Sequence, residues 1–111
     1  MEVIWFSRHE MTEAQREGLE KVIGDDDFEI TQVNKTISSA DEITELVSEK
    51  TVCVAAVLPV QLLSDLFDRI GSQVIIAVPR SKRVRDDSGE FQFVHDYWEV
   101  VEYCHYKAKR V

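Results

Sequence analysis

The sequence predicts an α/β fold, a three-layer sandwich with a mainly parallel sheet and a C-terminal β-hairpin and strand extension. Three observations carry this. Short all-apolar runs, such as Val52–Val57 and Val74–Val78, match strands buried on both faces of a parallel sheet. Between them lie segments with helical apolar spacing and helix-start signals. Strand and helix alternate through residue 78, the pattern of parallel strands joined by right-handed crossovers.

Val3 to Phe6 is an apolar run rich in strand formers and reads as the first buried strand. Ser7-Arg8-His9-Glu10-Met11 follows as a loop. Thr12 and Gln15 have capping-box spacing, and the helix behind them runs to about Ile23 with Leu19, Val22 and Ile23 on one face. Gly24 stands where a left-handed residue ends a helix, and Asp25 to Asp27 form a polar turn. Phe28 to Val33 alternates as a second strand. Ser39 to Glu42 is a second capping box, with Ile43, Leu46 and Val47 on one side of its helix. Leu58-Pro59 ends the Val52–Val57 strand, and Pro59 suits the first position of the next helix. That helix carries Val60, Leu63, Phe67 and Ile70 and stops at Gly71. After Pro79, Lys82–Arg85 and Glu90–Val94 flank a turn as a hairpin. Tyr97 to Tyr106 reads as a final strand, with a helix as the alternative because Trp98, Val101 and Cys104 are near helical spacing.

Composition bounds the function. The chain has 111 residues, 44% apolar and 31% charged, which suits one domain over 1–111. No apolar run approaches the ~20 residues that span a bilayer, so no membrane partner is expected. The net charge is -8, which argues against long duplex DNA, whose binding needs an extended positive face. The charge is uneven. Residues 1–79 hold 6 basic and 15 acidic groups, and residues 80–111 hold 7 and 6. Four of those seven basic groups lie in Arg80-Ser81-Lys82-Arg83-Val84-Arg85. A positive patch on an acidic body suits a small anionic ligand, and a solvated turn is the alternative. Cys53 and Cys104 lack CxxC spacing and read as reduced thiols, so a cytoplasmic setting is expected. His95 and His105 lack a cysteine at metal-ligand spacing, and the Asp25–Asp27 run lacks a calcium loop's pattern. Tyr97, Trp98, Tyr103 and Tyr106 read as core or dimer contact rather than as stacking platforms.

Open parallel sheets bind ligands outside the carboxyl ends of their strands. Three loops are expected there: Ser7-Arg8-His9, Leu58-Pro59-Val60-Gln61 and Pro79-Arg80-Ser81-Lys82. They supply a hydroxyl, an imidazole, several cations and a helix N-terminus at Pro59, all suited to phosphate. His9 can carry a proton near neutral pH, Arg8 can clamp a phosphate, and Ser7 can donate to a phosphate oxygen. The alternative is that Ser7 and His9 only cap the helix beginning near Thr12.

Two segments carry a resemblance. Val3-Ile4-Trp5-Phe6-Ser7-Arg8-His9 and Val54-Ala55-Ala56-Val57-Leu58-Pro59-Val60-Gln61-Leu62-Leu63 resemble the strand-SRH and strand-Leu-Pro-Val-helix motifs of small CRISPR-associated proteins. Those are similar to the CARF (CRISPR-associated Rossmann fold) group and include ring nucleases. The match covers roughly the first seventy residues. It implies a Rossmann-like homodimer that binds cyclic oligoadenylate, a second messenger of type III CRISPR signalling, and cleaves it without a metal or other cofactor. The ribose 2′-hydroxyl attacks the adjacent phosphorus and leaves a 2′,3′-cyclic phosphate. By this resemblance Ser7, Arg8 and His9 fall in the catalytic loop, and Leu58, Pro59 and Gln61 in the ligand loop. The residues themselves add Arg80, Ser81 and Lys82 as ligand contacts. The sequence departs from the family pattern at Glu10-Met11-Thr12, where a small residue or proline is expected, and after Pro79, where no counterpart aligns. Competing readings are a module that binds the same ring without cutting it, a phosphomonoesterase, and an interaction protein whose basic hairpin docks on an acidic partner.

Overall fold

The computed structural model describes residues 1–103 and 107–111. In chain order the elements are β1 (Glu2–Phe6), α1 (Glu13–Ile23), β2 (Glu29–Val33), α2 (Ala40–Thr44), β3 (Thr51–Ala56), α3 (Val60–Ile70), β4 (Ile75–Arg85), β5 (Phe91–Tyr103) and β6 (Lys107–Arg110). Among the described residues they form one six-stranded sheet in the order β2-β1-β3-β4-β5-β6. The first four strands of that order are parallel, and β5 and β6 are antiparallel additions. This is a Rossmann-like α/β fold. Among the described residues no helix is long and apolar enough to cross a membrane.

Strand alternation sends side chains to two separate cores. Val3, Trp5, Cys53, Ala55, Ala77 and Trp98 pack with Leu19 of α1 on one face. Ile4, Phe6, Val54, Ala56, Ile76 and Val78 pack with α2 and α3 on the other. Trp98 is the largest fully buried side chain. Its indole N–H donates to the Gln15 carbonyl of α1 at 2.9 Å, and its ring meets Trp5 edge-on, 6.1 Å between centroids. Gly18 of α1 makes room for it: a Cβ there would lie 2.9 Å from Trp98 Cδ1.

The expected local signals are present around α1. The Thr12–Gln15 capping box is made in both directions, and Gly24 takes φ 81° at the helix end. Elsewhere the structure departs from the sequence expectation. The second helix is little more than one turn, and Leu46, expected on its buried side, is 46% exposed. Its end tightens into i→i+3 bonds, Leu46 N–H to Ile43 and Val47 N–H to Thr44. Pro59 is the N-cap of α3 rather than its first residue.

The larger departure is in β4. Pro79 does not end the strand, which continues unbroken to Arg85. The pairing explains why. Pro79 stands opposite Trp98. Trp98 spends its N–H and C=O on Val111, on its far side, so Pro79 and Trp98 form a pair without mutual backbone bonds. The donor that Pro79 lacks would point toward β3, whose ladder with β4 has ended at Ala55–Ala77. Beyond that point β4 and β5 leave the sheet as a two-stranded arm. Its turn is fastened by Asp86, whose carboxylate accepts from Ser88 N–H (3.0 Å) and Glu90 N–H (2.9 Å), with Gly89 at φ 87°. β5 is a strand throughout Tyr97–Tyr103, as expected for that segment. Cys104, His105 and Tyr106, also read above, lie outside the described residues.

Candidate functional site

The order β2-β1-β3-β4 reverses direction between β1 and β3. The chain leaves β1 toward α1 on one face and leaves β3 toward α3 on the other. A crevice outside the carboxyl ends of such a strand pair is where open α/β sheets bind ligands. Phe6 pairs with Ala56, so Ser7 and Val57 emerge side by side at this point.

The Ser7-Arg8-His9 loop is held by its backbone. Ser7 N–H donates to the Val33 carbonyl at 3.2 Å, and the Gln32 side-chain amide donates to the Ser7 carbonyl at 3.0 Å. His9 N–H donates to Ser7 Oγ at 3.1 Å, and the Trp5 indole N–H donates to the His9 carbonyl at 2.8 Å. Trp5 is buried and needs a partner for its N–H, so core packing fixes the loop. The Arg8 and His9 side chains are left exposed. Among the described residues neither makes an ion pair or side-chain hydrogen bond. The cap of α1 is Thr12, so Ser7 and His9 are not its caps.

The second predicted loop splits. Leu58 is half-buried against the core. Pro59 and Gln61 line a cleft of about 450 Å³ between the starts of α2 and α3, with Ser38, Ser39 and Arg69. The N-cap Pro59 makes no side-chain cap bond to α3, and among the described residues its first turn holds no acidic residue, so the positive end of its dipole is uncompensated at the switch point. Val57 (65%) and Val60 (56%) stand exposed on either side of Pro59.

The third segment is strand rather than loop. Arg80 is engaged by Glu99 through two contacts, Nε to Oε1 at 3.1 Å and Nη2 to Oε2 at 3.2 Å, and Glu99 is only 19% exposed. The guanidinium expected to face a ligand is therefore committed within the sheet. Ser81 and Lys82 are exposed at the root of the arm, where β5 carries the extra residue Asp96 as a bulge. Ser7, Arg8, His9, Leu58 and the Pro59 end of α3 thus share one edge. Gln61 opens to the α2–α3 side, and Lys82 projects outward.

Sequence reading missed the roles of Trp5 and Gln32 in holding the loop. It also missed Phe91 and Phe93 of the arm, 52% and 77% exposed. An isolated strand alternation, Phe91-Gln92-Phe93, looks the same whether or not anything covers it. Comparison with protein-family models, with curated proteins and with solved structures finds no match.

Proposed function

We propose that the chain is a metal-independent, CARF-like ring nuclease that binds and cleaves cyclic oligoadenylate at the β1/β3 edge, working as a homodimer. The observation that carries this is the adjacency of the Ser7-Arg8-His9 loop and the uncapped α3 N-terminus at the switch point. The first offers a proton carrier and a cation, the second a phosphate cradle. In this reading a ring phosphate lies between Arg8 and the first turn of α3. The ribose 2′-oxygen forms a bond to the adjacent phosphorus as its proton passes to His9. The bond from phosphorus to the 5′-oxygen breaks, and that oxygen takes up a proton. The products are a 2′,3′-cyclic phosphate and a 5′-hydroxyl end. Such a transfer depends on positioning and charge neutralisation, which a tethered loop supplies. Exposed Val57 and Val60 beside the crevice support a second copy closing over it. A C2 dimer would present two loops to a ligand with rotational symmetry.

One observation favours binding without cleavage: among the described residues no group orients the His9 imidazole, whereas catalytic histidines are usually held by a third group. Incubation with cyclic tetra- and hexa-adenylate in EDTA, followed by chromatography, separates the readings. Linear products ending in 2′,3′-cyclic phosphate support the nuclease. Intact ring recovered from a denatured complex supports the binder. A chain that neither binds nor cleaves either ring refutes both.

A further inference from the structure

The arm carries a surface that the sheet does not use. Beyond Pro79, one face of the ribbon presents Ser81, Arg83 and Arg85 from β4 and Phe91, Phe93 and His95 from β5, set by the pairs Ser81–His95, Arg83–Phe93 and Arg85–Phe91. Among the described residues no helix covers the outer four of these, which are all exposed, and five residues of strand from Ser81 to Arg85 extend about 16 Å past the sheet. The Arg83 guanidinium lies 4.0 Å from the centre of the Phe91 ring, and that of Arg85 lies 5.2 Å from it. Phe93, next to them, is 77% exposed. The face begins at His95, whose ring packs 5.4 Å from Trp98 on the α1 side of the sheet. The His9 loop leaves β1 on that same side, tied to Trp5 of the same core. It is two strand spacings from β4, about 10 Å.

From these residues we infer that the outer arm is a stacking platform for a single-stranded oligoribonucleotide, with a base on Phe93 and a phosphate on the Arg83–Arg85 pair. An open aromatic ring takes any base face, and cations beside it take the backbone. Arg83, held over Phe91 at 4.0 Å, makes no ion pair among the described residues, so its N–H fork can take a phosphate. A docking site for a second copy of the chain fits less well, because a self-complementary contact would set the Arg83–Arg85 pair of one copy against the same pair of the other. The inference deepens the proposed function, since it gives the ligand of the β1/β3 edge a second point of attachment on the same side of the sheet.

The test uses the full chain and two probes, fluorescein-labelled linear hexa-adenylate and cyclic hexa-adenylate, with binding followed by anisotropy across a salt series. Phe93 is exposed, so Phe93→Ser leaves the fold intact, which circular dichroism checks. Phe93→Ser is expected to weaken linear hexa-adenylate binding about tenfold or more. Arg83→Gln and Arg85→Gln should each reduce the slope of log K against log salt by about 0.7. If those effects appear while the cyclic ring is neither bound nor cleaved, the platform stands and the ring-nuclease reading falls. If Phe93→Ser binds linear hexa-adenylate as tightly as wild type while the ring is bound and cleaved, the platform is refuted and the nuclease reading survives. No binding of either probe overturns both. A Phe93→Ser chain that turns from dimer to monomer in light scattering also overturns the platform, by showing that this face joins two copies.

Discussion

Replacing Gly18 by alanine should destabilise this protein, although glycine-to-alanine changes inside helices usually do the opposite. The intrinsic gain in α1 is about 1 kcal/mol. Against it, the new Cβ would stand 2.9 Å from Trp98 Cδ1, 3.0 Å from Trp98 Nε1 and 3.3 Å from His95 Nε2. Trp98 cannot retreat, because it is fully buried, edge-on to Trp5 and bonded to Gln15. Overpacking of this kind costs about 1–3 kcal/mol, and loss of the indole hydrogen bond adds about 1 kcal/mol. The net is a loss of about 2 kcal/mol. In urea unfolding followed by circular dichroism, with a slope of about 2 kcal/mol per molar, the midpoint should drop by about 1 M. Trp98→Phe shortens the ring at that spot. The double variant should therefore cost clearly less than the two single changes added together. A midpoint that stays or rises in Gly18→Ala, or strict additivity in the cycle, would refute the packing of β5 beneath α1.

Three further outcomes follow from the same structure. His95 keeps Nδ1 buried and unbonded among the described residues, and burial lowers its pKa below 6.5, partly opposed by Asp96. The folded state therefore resists protonation, so its stability is full above pH 6.5 and is lost as pH falls through the lowered value. Glu17 and Lys21 of α1 face the same pocket. Melting temperatures at pH 7.5 and 5.5 should differ less in His95→Leu than in wild type, and an equal fall would contradict the assignment. Glu42 accepts from Ser38 and Ser39 N–H at 2.7 and 3.0 Å, which, with Lys35 and the Ser38 hydroxyl, holds its pKa down to about 2. That contribution is present above pH 4.5 and fades toward pH 2, so acid unfolding of Glu42→Gln should show a shallower pH dependence. Cys53 is fully buried, and burial pushes its thiol up to about 12. Peptide mapping should find it unmodified by iodoacetamide in the native chain and modified in urea.

Much of the fold is legible in the sequence because its signals are local. Val3–Phe6, Val52–Val57 and Val74–Val78 are apolar and short, and each is bounded by a polar or turn residue. Thr12 with Gln15, and Gly24, mark the two ends of α1 by side-chain chemistry alone. The continuation of β4 is not legible. Pro79 reads as a stop until its neighbours are known, and only the pairing with Trp98 shows that no donor is needed there. The candidate site divides the same way. The place of Ser7-Arg8-His9 follows from the end of a strand, which a run of apolar residues reveals. The commitment of Arg80 to Glu99 depends on antiparallel register across nineteen positions, which no local pattern encodes. Lys82, beyond that pair, is left as the exposed cation of the predicted segment.

The most direct test of the account is the single-turnover rate of cyclic oligoadenylate cleavage in wild type and His9→Ala, measured in EDTA beside the ring's binding affinity. General acid–base assistance of this type contributes about 10²–10⁴-fold. A loss of that size in the chemical step is expected, with affinity within a few-fold of wild type, because the His9 backbone ties to Ser7 and Trp5 do not involve its imidazole. Arg8→Gln should weaken both binding and rate. A His9→Ala chain that cleaves as fast as wild type, or a wild type that leaves every ring intact, would contradict it.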